Sequence, residues 1–339
     1  MEKDIKVSVL IPVYGVEKYI EKSARSLFEQ TMQEGIEFIF TDDCTKDRSI
    51  EIVKEVLKEY PHRQSQVRFL RHKENMGLAE ARVTGLNASR GEYVIHCDSD
   101  DWVDPKMYEL LYKEAQKANA DIVGCDAIHV FKDEQRVRKE AFNLDQTQLV
   151  KEMILGKALE GYLWNRLIRR SFYIKGGFRA EKGTTLLEDM AVTVPMHALS
   201  DKVGYVAQPL YFYRRTDIDS MSGAMSDKNI ASAISVLDKL KTIPMQQIWI
   251  DAIDSRLKSF LFLRILALRD RDADGWRRIE LPFINTHEIR LSPSQNIAKF
   301  LGEKQLDHSL YCFMIANKLL DPIVWYYRLK RYIRIVKGK

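Results

Sequence analysis

Residues 95–102, IHCDSDDW, run an apolar segment straight into three carboxylates, Asp98, Asp100 and Asp101. Like charges at contact range cost free energy and raise carboxylate pKa values unless a cation or water lies among them. In an extended segment alternate side chains share a face, so Asp98 and Asp100 can converge while Ser99 turns away. Two such carboxylates suit a hard divalent cation, Mg2+ or Mn2+, which is commonly held by one or two carboxylates together with phosphate oxygens. The bland alternative is a solvated turn leading into a helix. Asp104 and Pro105 are expected to supply that helix with its cap and first residue, which leaves Asp98 and Asp100 unexplained. Two further acidic pairs stand out, Asp42–Asp43 in FIFTDDCTKDRS and Glu188–Asp189 in TTLLEDMAV. On their own both suit helix N-termini, where acids cap free N–H groups and favour the macrodipole.

The elements that must position these residues alternate between two periods. KVSVLIPVY, IEFIFTD, VRFLRH and EYVIHC are short apolar runs and are predicted as buried strands. Between them, Tyr19, Ile20, Ser23, Ala24, Leu27 and Phe28, then Ile50, Val53, Val56, Leu57 and Tyr60, recur at helical spacing. GLAEARVTGLNAS and DPKMYELLYKEAQKANA are further helices, and DIVGCDAIHVF is a further strand. Strand–helix alternation with short joints implies a mostly parallel sheet flanked by helices, with ligands bound beyond the carboxyl ends of the strands. That places residues 12–14, 42–44, 71–77 and 98–101 at one mouth. Residues 132–225 are less regular, and a helical region is expected from residue 226 to residue 339.

Composition bounds the chemistry. The 339 residues are 45% hydrophobic and 30% charged, a globular balance. The four cysteines, Cys44, Cys97, Cys125 and Cys312, form no CxxC pair and read as reduced thiols. No signal peptide and no membrane span is expected, since SFLFLRILAL is broken by Arg264, and a cytoplasmic location follows. The last nineteen residues carry six basic groups and one acid, which accounts for the whole chain's +5. A global field for nucleic acid is therefore not indicated. Trp325, Tyr326, Leu329, Tyr332, Ile333 and Val336 gather on one side of this tail's helical wheel and its basic residues on the other. Such a helix suits the surface of an anionic bilayer; packing on the protein, or a contact in a homo-oligomer, is the alternative.

The first loop, PVYGVEKY, lacks the GxGxxG of a dinucleotide fold, and neither a P-loop nor the Gly-rich loop of a sugar nucleotidyltransferase occurs. A carboxylate-led site remains. With VSVLIPVYGVEKYIEKSARSLFEQT, FIFTDDCTKDRS, ENMGLAEARVTG, GEYVIHCDSDDWVDP, LLEDMAVTVPM and LYFYRRTDIDSMS in order over roughly residues 5–222, the sequence resembles an inverting family-2 bacterial glycosyltransferase. The resemblance implies a GT-A fold in residues 1–225, with residues 1–131 as the nucleotide half and 132–225 as the acceptor half. Pro12, Val13 and Tyr14 would then pack on the nucleobase and ribose, and Asp43 would accept the imino N–H of a uracil. Asn75, Gly77 and Arg82 would shape the loop under the nucleotide. Asp98 and Ser99 would meet the nucleotide sugar, Asp98 and Asp100 the metal, and Asp101 would support the loop. Where the family has Gly after its DD pair, this chain has Cys44, while Asp47 keeps the pattern's last letter.

The same resemblance makes Asp189 the general base and Glu188 an acceptor contact, with Trp164 also on the acceptor side and Arg214 reaching the diphosphate. The aromatic residues Trp164, Tyr211 and Tyr213 read equally well as core. His96 reads as a core or edge histidine. The implied reaction moves a sugar from a nucleotide-diphospho-sugar, a UDP-sugar, to a hydroxyl of a glycan or lipid-linked acceptor during surface polysaccharide assembly. It is a single in-line displacement with an oxocarbenium-like transition state. The other classes are a non-catalytic nucleotide-sugar-binding subunit and a nucleotidyltransferase. Release of free nucleoside diphosphate separates the three.

Overall fold

A computed structural model describes residues 4–200, 202–215, 227–243 and 246–257. In its first half, strands β1 (Val7–Val13), β2 (Ile36–Asp42), β3 (Val67–Arg71) and β4 (Tyr93–His96) alternate with helices α1 (Ile20–Phe28), α2 (Ser49–Leu57) and α3 (Leu78–Ala88). Then follow β5 (Trp102–Val103), α4 (Met107–Ala118), β6 (Ile122–Val130) and β7 (Gln135–Arg138). The chain continues through α5 (Gln146–Leu155), β8 (Arg166–Arg169), α6 (Arg170–Gly176), α7 (Glu188–Leu199), β9 (Val203–Arg214) and α8 (Asp227–Leu240).

All strands among the described residues form one sheet in the order β3-β2-β1-β4-β8-β6-β9-β5, with β7 paired on β6. The pairs β1–β2, β1–β4 and β2–β3 are parallel. β8 runs antiparallel to both β4 and β6, and β9 runs parallel to β6. The carboxyl ends of β1, β2, β4 and β9 therefore lie along one edge, where the expected mouth is.

Side-chain alternation sorts each strand onto two cores. Val7, Val9, Ile11 and Val13 of β1, with Phe38 and Phe40 of β2, pack against α1, α2 and α4. Leu10, Ile39 and Val94 point the other way, against α3, α6 and α7. Covered on both faces, β1 and β2 are buried at every position, which is why they read as continuous apolar runs.

Three details differ from the sequence reading. Asp104 Oδ1 takes the Lys106 N–H at 2.8 Å and α4 begins at Met107, so Asp104 closes the turn before the helix and Pro105 lies in that turn. The two halves are interleaved, because β8 from the second half inserts between β4 and β6 of the first. The compact unit runs from Met1 to Ile253, past the expected boundary at residue 225, because α8 packs on α7 through buried Ile230, Ala233 and Leu237. The remainder, Asp254–Lys339, forms a second unit. Beyond residue 257 it lies outside the described residues, as do Cys312 and the basic tail. Among the described residues no helix is long and apolar enough to cross a membrane. Cys97 and Cys125 are buried free thiols, and Cys44 is free and partly exposed.

Candidate active site

The site begins where β4 ends. The Tyr211 hydroxyl, at the end of β9, accepts the Asp98 N–H (3.1 Å) and donates to Asp101 Oδ2 (2.8 Å). Asp101 Oδ1 takes the Arg214 N–H (2.7 Å), and the Arg214 Nε–H donates to the Asp100 carbonyl (2.9 Å). Asp101 is thus buried and spent on holding the loop, the supporting role expected of it. Arg214 sits at the rim, its guanidinium 4.5 Å from the centre of the Tyr19 ring and 5.1 Å from that of Trp102. Residues 98–101 form a turn closed by the Asp101 N–H on the Asp98 carbonyl (3.1 Å), not the extended run expected, and Ser99 within it is buried, so its expected contact with a sugar nucleotide finds no open face here. His96 is a core histidine; burial first, then the charge of Arg82, holds it well below its usual pKa.

Arg82 is the centre of the arrangement. It lies on α3, is only 7% exposed, and bridges two carboxylates that are far apart in the chain. One terminal nitrogen is 2.5 Å from Asp189 Oδ1 and the other 3.1 Å from Asp98 Oδ1. Burial opposes its charge, yet Asp189, Asp98 and Glu188 together hold Arg82 above the usual arginine range. Burial raises Asp98 to about 6; Asp189 and Asp100 push the same way and Arg82 opposes them. Burial, then the charge of Asp189, raises Glu188 to about 7. Three carboxylates around one guanidinium, with Asp100 beside Asp98, leave an excess of acidic groups with hard oxygen donors. Such a donor set fits a divalent cation, with Asp98 and Asp100 as the residues that would hold it. Among the described residues no three metal-ligating side chains form a ready cage, so the protein's share would be one or two carboxylates, as is usual for Mg2+ with phosphate substrates.

Glu188 and Asp189 are also the first two residues of α7, so the helix-terminus reading holds alongside the cluster. The residue before them, Leu187, sits at φ +63°, a left-handed conformation that costs a bulky residue about 1–3 kcal/mol. The turn is pinned by Ser232 of α8, whose Oγ takes the N–H groups of Thr185 (3.0 Å) and Leu186 (3.3 Å). Asp189 Oδ2 takes the Leu163 N–H at 3.1 Å. A carboxylate offers about four lone-pair sites, so Asp189 retains acceptor capacity.

Where the nucleotide is expected, Tyr14 is 50% exposed just past the end of β1 and offers an open ring. Pro12 and Val13 are buried inside the strand, so expected side-chain packing on a base or ribose is replaced for Val13 by a backbone role: its carbonyl takes the Asp43 N–H at 3.0 Å. Asp43 is 3% exposed and already accepts three bonds, from His72 Nδ1 (2.6 Å) and from the N–H groups of Met76 and Gly77 (2.8 Å each). It therefore ties the end of β2 to the 72–77 loop. Gly77, at φ +90°, turns that loop into α3 and is a position where a side chain would be strained. Asn75 is exposed on the loop. Cys44 adopts φ +60°, the left-handed geometry for which the family's glycine is suited, so the sequence departure leaves the loop shape in place. Asp47 Oδ2 takes the Glu17 N–H at 2.9 Å, and Thr45 Oγ1 takes the Gly15 N–H at 2.9 Å; both fasten the Tyr14 loop to the Asp43 loop.

Trp164 is a correction. It is 1% exposed and stacked between Tyr211 (centroids 4.1 Å) and Tyr162 (4.5 Å), so it is core and not an acceptor surface. Its role is to wedge the Tyr211 ring that fixes the acidic loop.

The sequence model described as "Glycosyl transferase family 2" matches residues 8–177, half of the chain. The chain belongs to glycosyl transferase family 2. It is 32% identical over 214 residues to the uncharacterized glycosyltransferase EpsJ of Bacillus subtilis, a match covering 61% of this chain and 60% of that one. It is 27% identical over 323 residues to the putative glycosyltransferase EpsH of the same organism, covering 92% of this chain and 91% of that one. Among solved structures, S. aureus TarS in complex with UDP-GlcNAc superposes with a TM-score of 0.62 at 18% identity, over 82% of this chain and 77% of that one. That likeness shows the fold, the GT-A sheet expected from the sequence.

For this family-2 glycosyltransferase the structure brings Arg82, Asp98, Glu188 and Asp189 together and bonds Arg214, at the end of β9, to the loop that carries Asp100. Sequence reasoning missed His72, Tyr211's hydroxyl bridge and Ser232. A histidine one residue past a strand at the mouth is the only signal that His72 offered; the other two act across gaps of 113 and 47 residues.

Proposed function

We propose that this family-2 glycosyltransferase moves a sugar from a UDP-sugar to a hydroxyl of a glycan or lipid-linked acceptor with inversion, as a step of surface polysaccharide assembly. The observation that carries the reading is the Arg82 bridge, which holds the candidate donor carboxylate Asp98 and the candidate base Asp189 against one guanidinium. Tyr14 stacks on the base, and Asp43, with the 72–77 loop it orders, meets the base edge through its remaining lone pair. Arg214 swings its guanidinium from the loop rim to the diphosphate.

Asp189 is held in direction by Arg82 and by the Leu163 N–H, and a base for an alcohol needs to be close and well aimed, since the hydroxyl becomes acidic only as its new bond forms. The acceptor oxygen bonds to the anomeric carbon, the bond from that carbon to the diphosphate oxygen breaks, and the hydroxyl proton passes to Asp189. Glu188, on the same turn, accepts a hydrogen bond from the acceptor. A Mg2+ or Mn2+ held by Asp98 and Asp100 would supply charge neutralisation for the leaving diphosphate.

The test is a panel of nucleotide sugars offered with Mn2+, read as free nucleoside diphosphate. UDP release from one donor, raised by an acceptor hydroxyl, is expected. Release of pyrophosphate would indicate nucleotidyl transfer, and tight UDP-sugar binding without turnover on any acceptor tried would indicate a binding subunit.

A further inference from the structure

Near the candidate active site lies a cavity that the chemistry above leaves unused. It measures about 340 Å3 and lies between residues 179–184, α7 and α8. Its floor is apolar, from Ala191, Pro195, Val236 and Leu240. Its rim is cationic, from Arg179, Lys182, Lys228 and Lys239. Glu181, the single acid in the lining, is already paired with Lys239. Arg179, Lys182 and Lys228 have no carboxylate partner among the described residues.

Two features place the cavity close to the candidate catalytic pair. Glu188, Ala191 and Pro195 are spaced i, i+3 and i+7, so they share a face of α7 and the floor begins one helical turn from Glu188. Arg179 lines both this cavity and the smaller one that reaches Arg82 and Glu188. Ser232, which pins the turn before Glu188, is itself in the lining.

A free neutral sugar would leave three cations unmatched and cover little of the floor. A phosphate ester with a hydrocarbon chain matches both: its oxygens accept charge-assisted bonds from the rim, and its methylenes remove the floor from water. We propose that the α7–α8 cavity binds the phosphate and first methylenes of an alkyl phosphate, the anchoring end of a lipid-linked acceptor, and so presents the acceptor's sugar hydroxyl to Glu188 and Asp189. The anchoring role rests on the glycosyl-transfer reading; the binding site does not.

Calorimetry on the full chain tests it with three probes: decyl phosphate below its micellar concentration, glycerol phosphate, and decyl maltoside. Decyl phosphate is expected to bind more tightly than either of the others. The Lys182→Ala, Lys228→Ala double variant, at two exposed positions, is expected to weaken it by about tenfold or more while leaving UDP binding and the melting temperature unchanged. Equal affinity for decyl maltoside, or decyl phosphate affinity untouched by the double variant, overturns the site. Glycerol phosphate binding as tightly as decyl phosphate overturns the lipid occupant, because the floor would then contribute nothing. If no nucleotide sugar is turned over and UDP does not bind, yet decyl phosphate still binds in a lysine-dependent way, the glycosyl-transfer reading fails and the site stands.

Discussion

Replacing Arg82 by Met removes the cation at the centre of the site and keeps most of the side chain's length. Arg82 is 7% exposed and holds Asp189 and Asp98 at 2.5 and 3.1 Å. Removing one partner of a buried ion pair typically costs about 3–5 kcal/mol, because it leaves uncompensated charge. The cost should depend on pH. Asp98 and Glu188 stand at about 6 and about 7 even with Arg82 present, above the roughly 3.9 and 4.3 of unfolded carboxylates. The folded state therefore holds more protons than the unfolded one through that window, and stability falls as pH rises across it. Losing Arg82 raises both groups further and extends the fall to higher pH. At pH 8 the full penalty applies, and at pH 5 protonation of Asp98 and Glu188 removes much of it. At about 2–4 °C per kcal/mol for a unit of this size, thermal melts should show a loss of about 6–20 °C at pH 8 and less than half of that at pH 5. An equal loss at both pH values, or a loss at pH 8 worth under about 1 kcal/mol, would refute the view that Arg82 neutralises these carboxylates.

Asp189→Asn should lower kcat by about 10²- to 10⁴-fold and leave UDP affinity near that of the parent; turnover at the parent rate would place the base elsewhere. Asp100→Ala should abolish transfer and the effect of Mn2+ on donor binding, and undiminished Mn2+ stimulation would remove Asp100 from the metal's ligands. Trp164→Ala should destabilise the fold by about 3–5 kcal/mol, as for other buried tryptophans, and lower kcat through the loosened Tyr211; a raised acceptor KM at unchanged stability would return Trp164 to the acceptor surface. Asp43→Ala should weaken UDP binding and increase proteolysis within residues 72–77, and a change in neither would separate Asp43 from the nucleotide loop.

The parallel half of the sheet was legible because strands covered on both faces must be apolar throughout, and β1 and β2 are. β8 was not, because RLIR is four residues long with an arginine at each end, and its strand character comes from partners on β4 and β6. β5, two residues long, exists through its pairing with β9. The acidic residues were legible as candidates from spacing and resemblance. What spacing could not convey is which carboxylates meet: Arg82 and Asp189 are 107 residues apart, and only the sheet order brings α3 beside the start of α7. Trp164 shows the opposite limit. An aromatic residue in a polar-looking stretch suits a sugar platform or a core equally well, and only the rings stacked on it decide.

The insertion of β8 between β4 and β6 also bears on how the chain is made. β4 is buried on both faces, but one of its edges waits for residues 166–169. On a ribosome adding roughly 5–20 residues per second, the intervening stretch of about seventy residues leaves that edge open for about 4–14 s. During this interval the nascent parallel sheet presents unpaired N–H and C=O groups, a template for pairing with another chain. A polypeptide ending near residue 131 would keep that edge permanently, so residues 1–131 expressed alone should associate with themselves instead of persisting as a monomer.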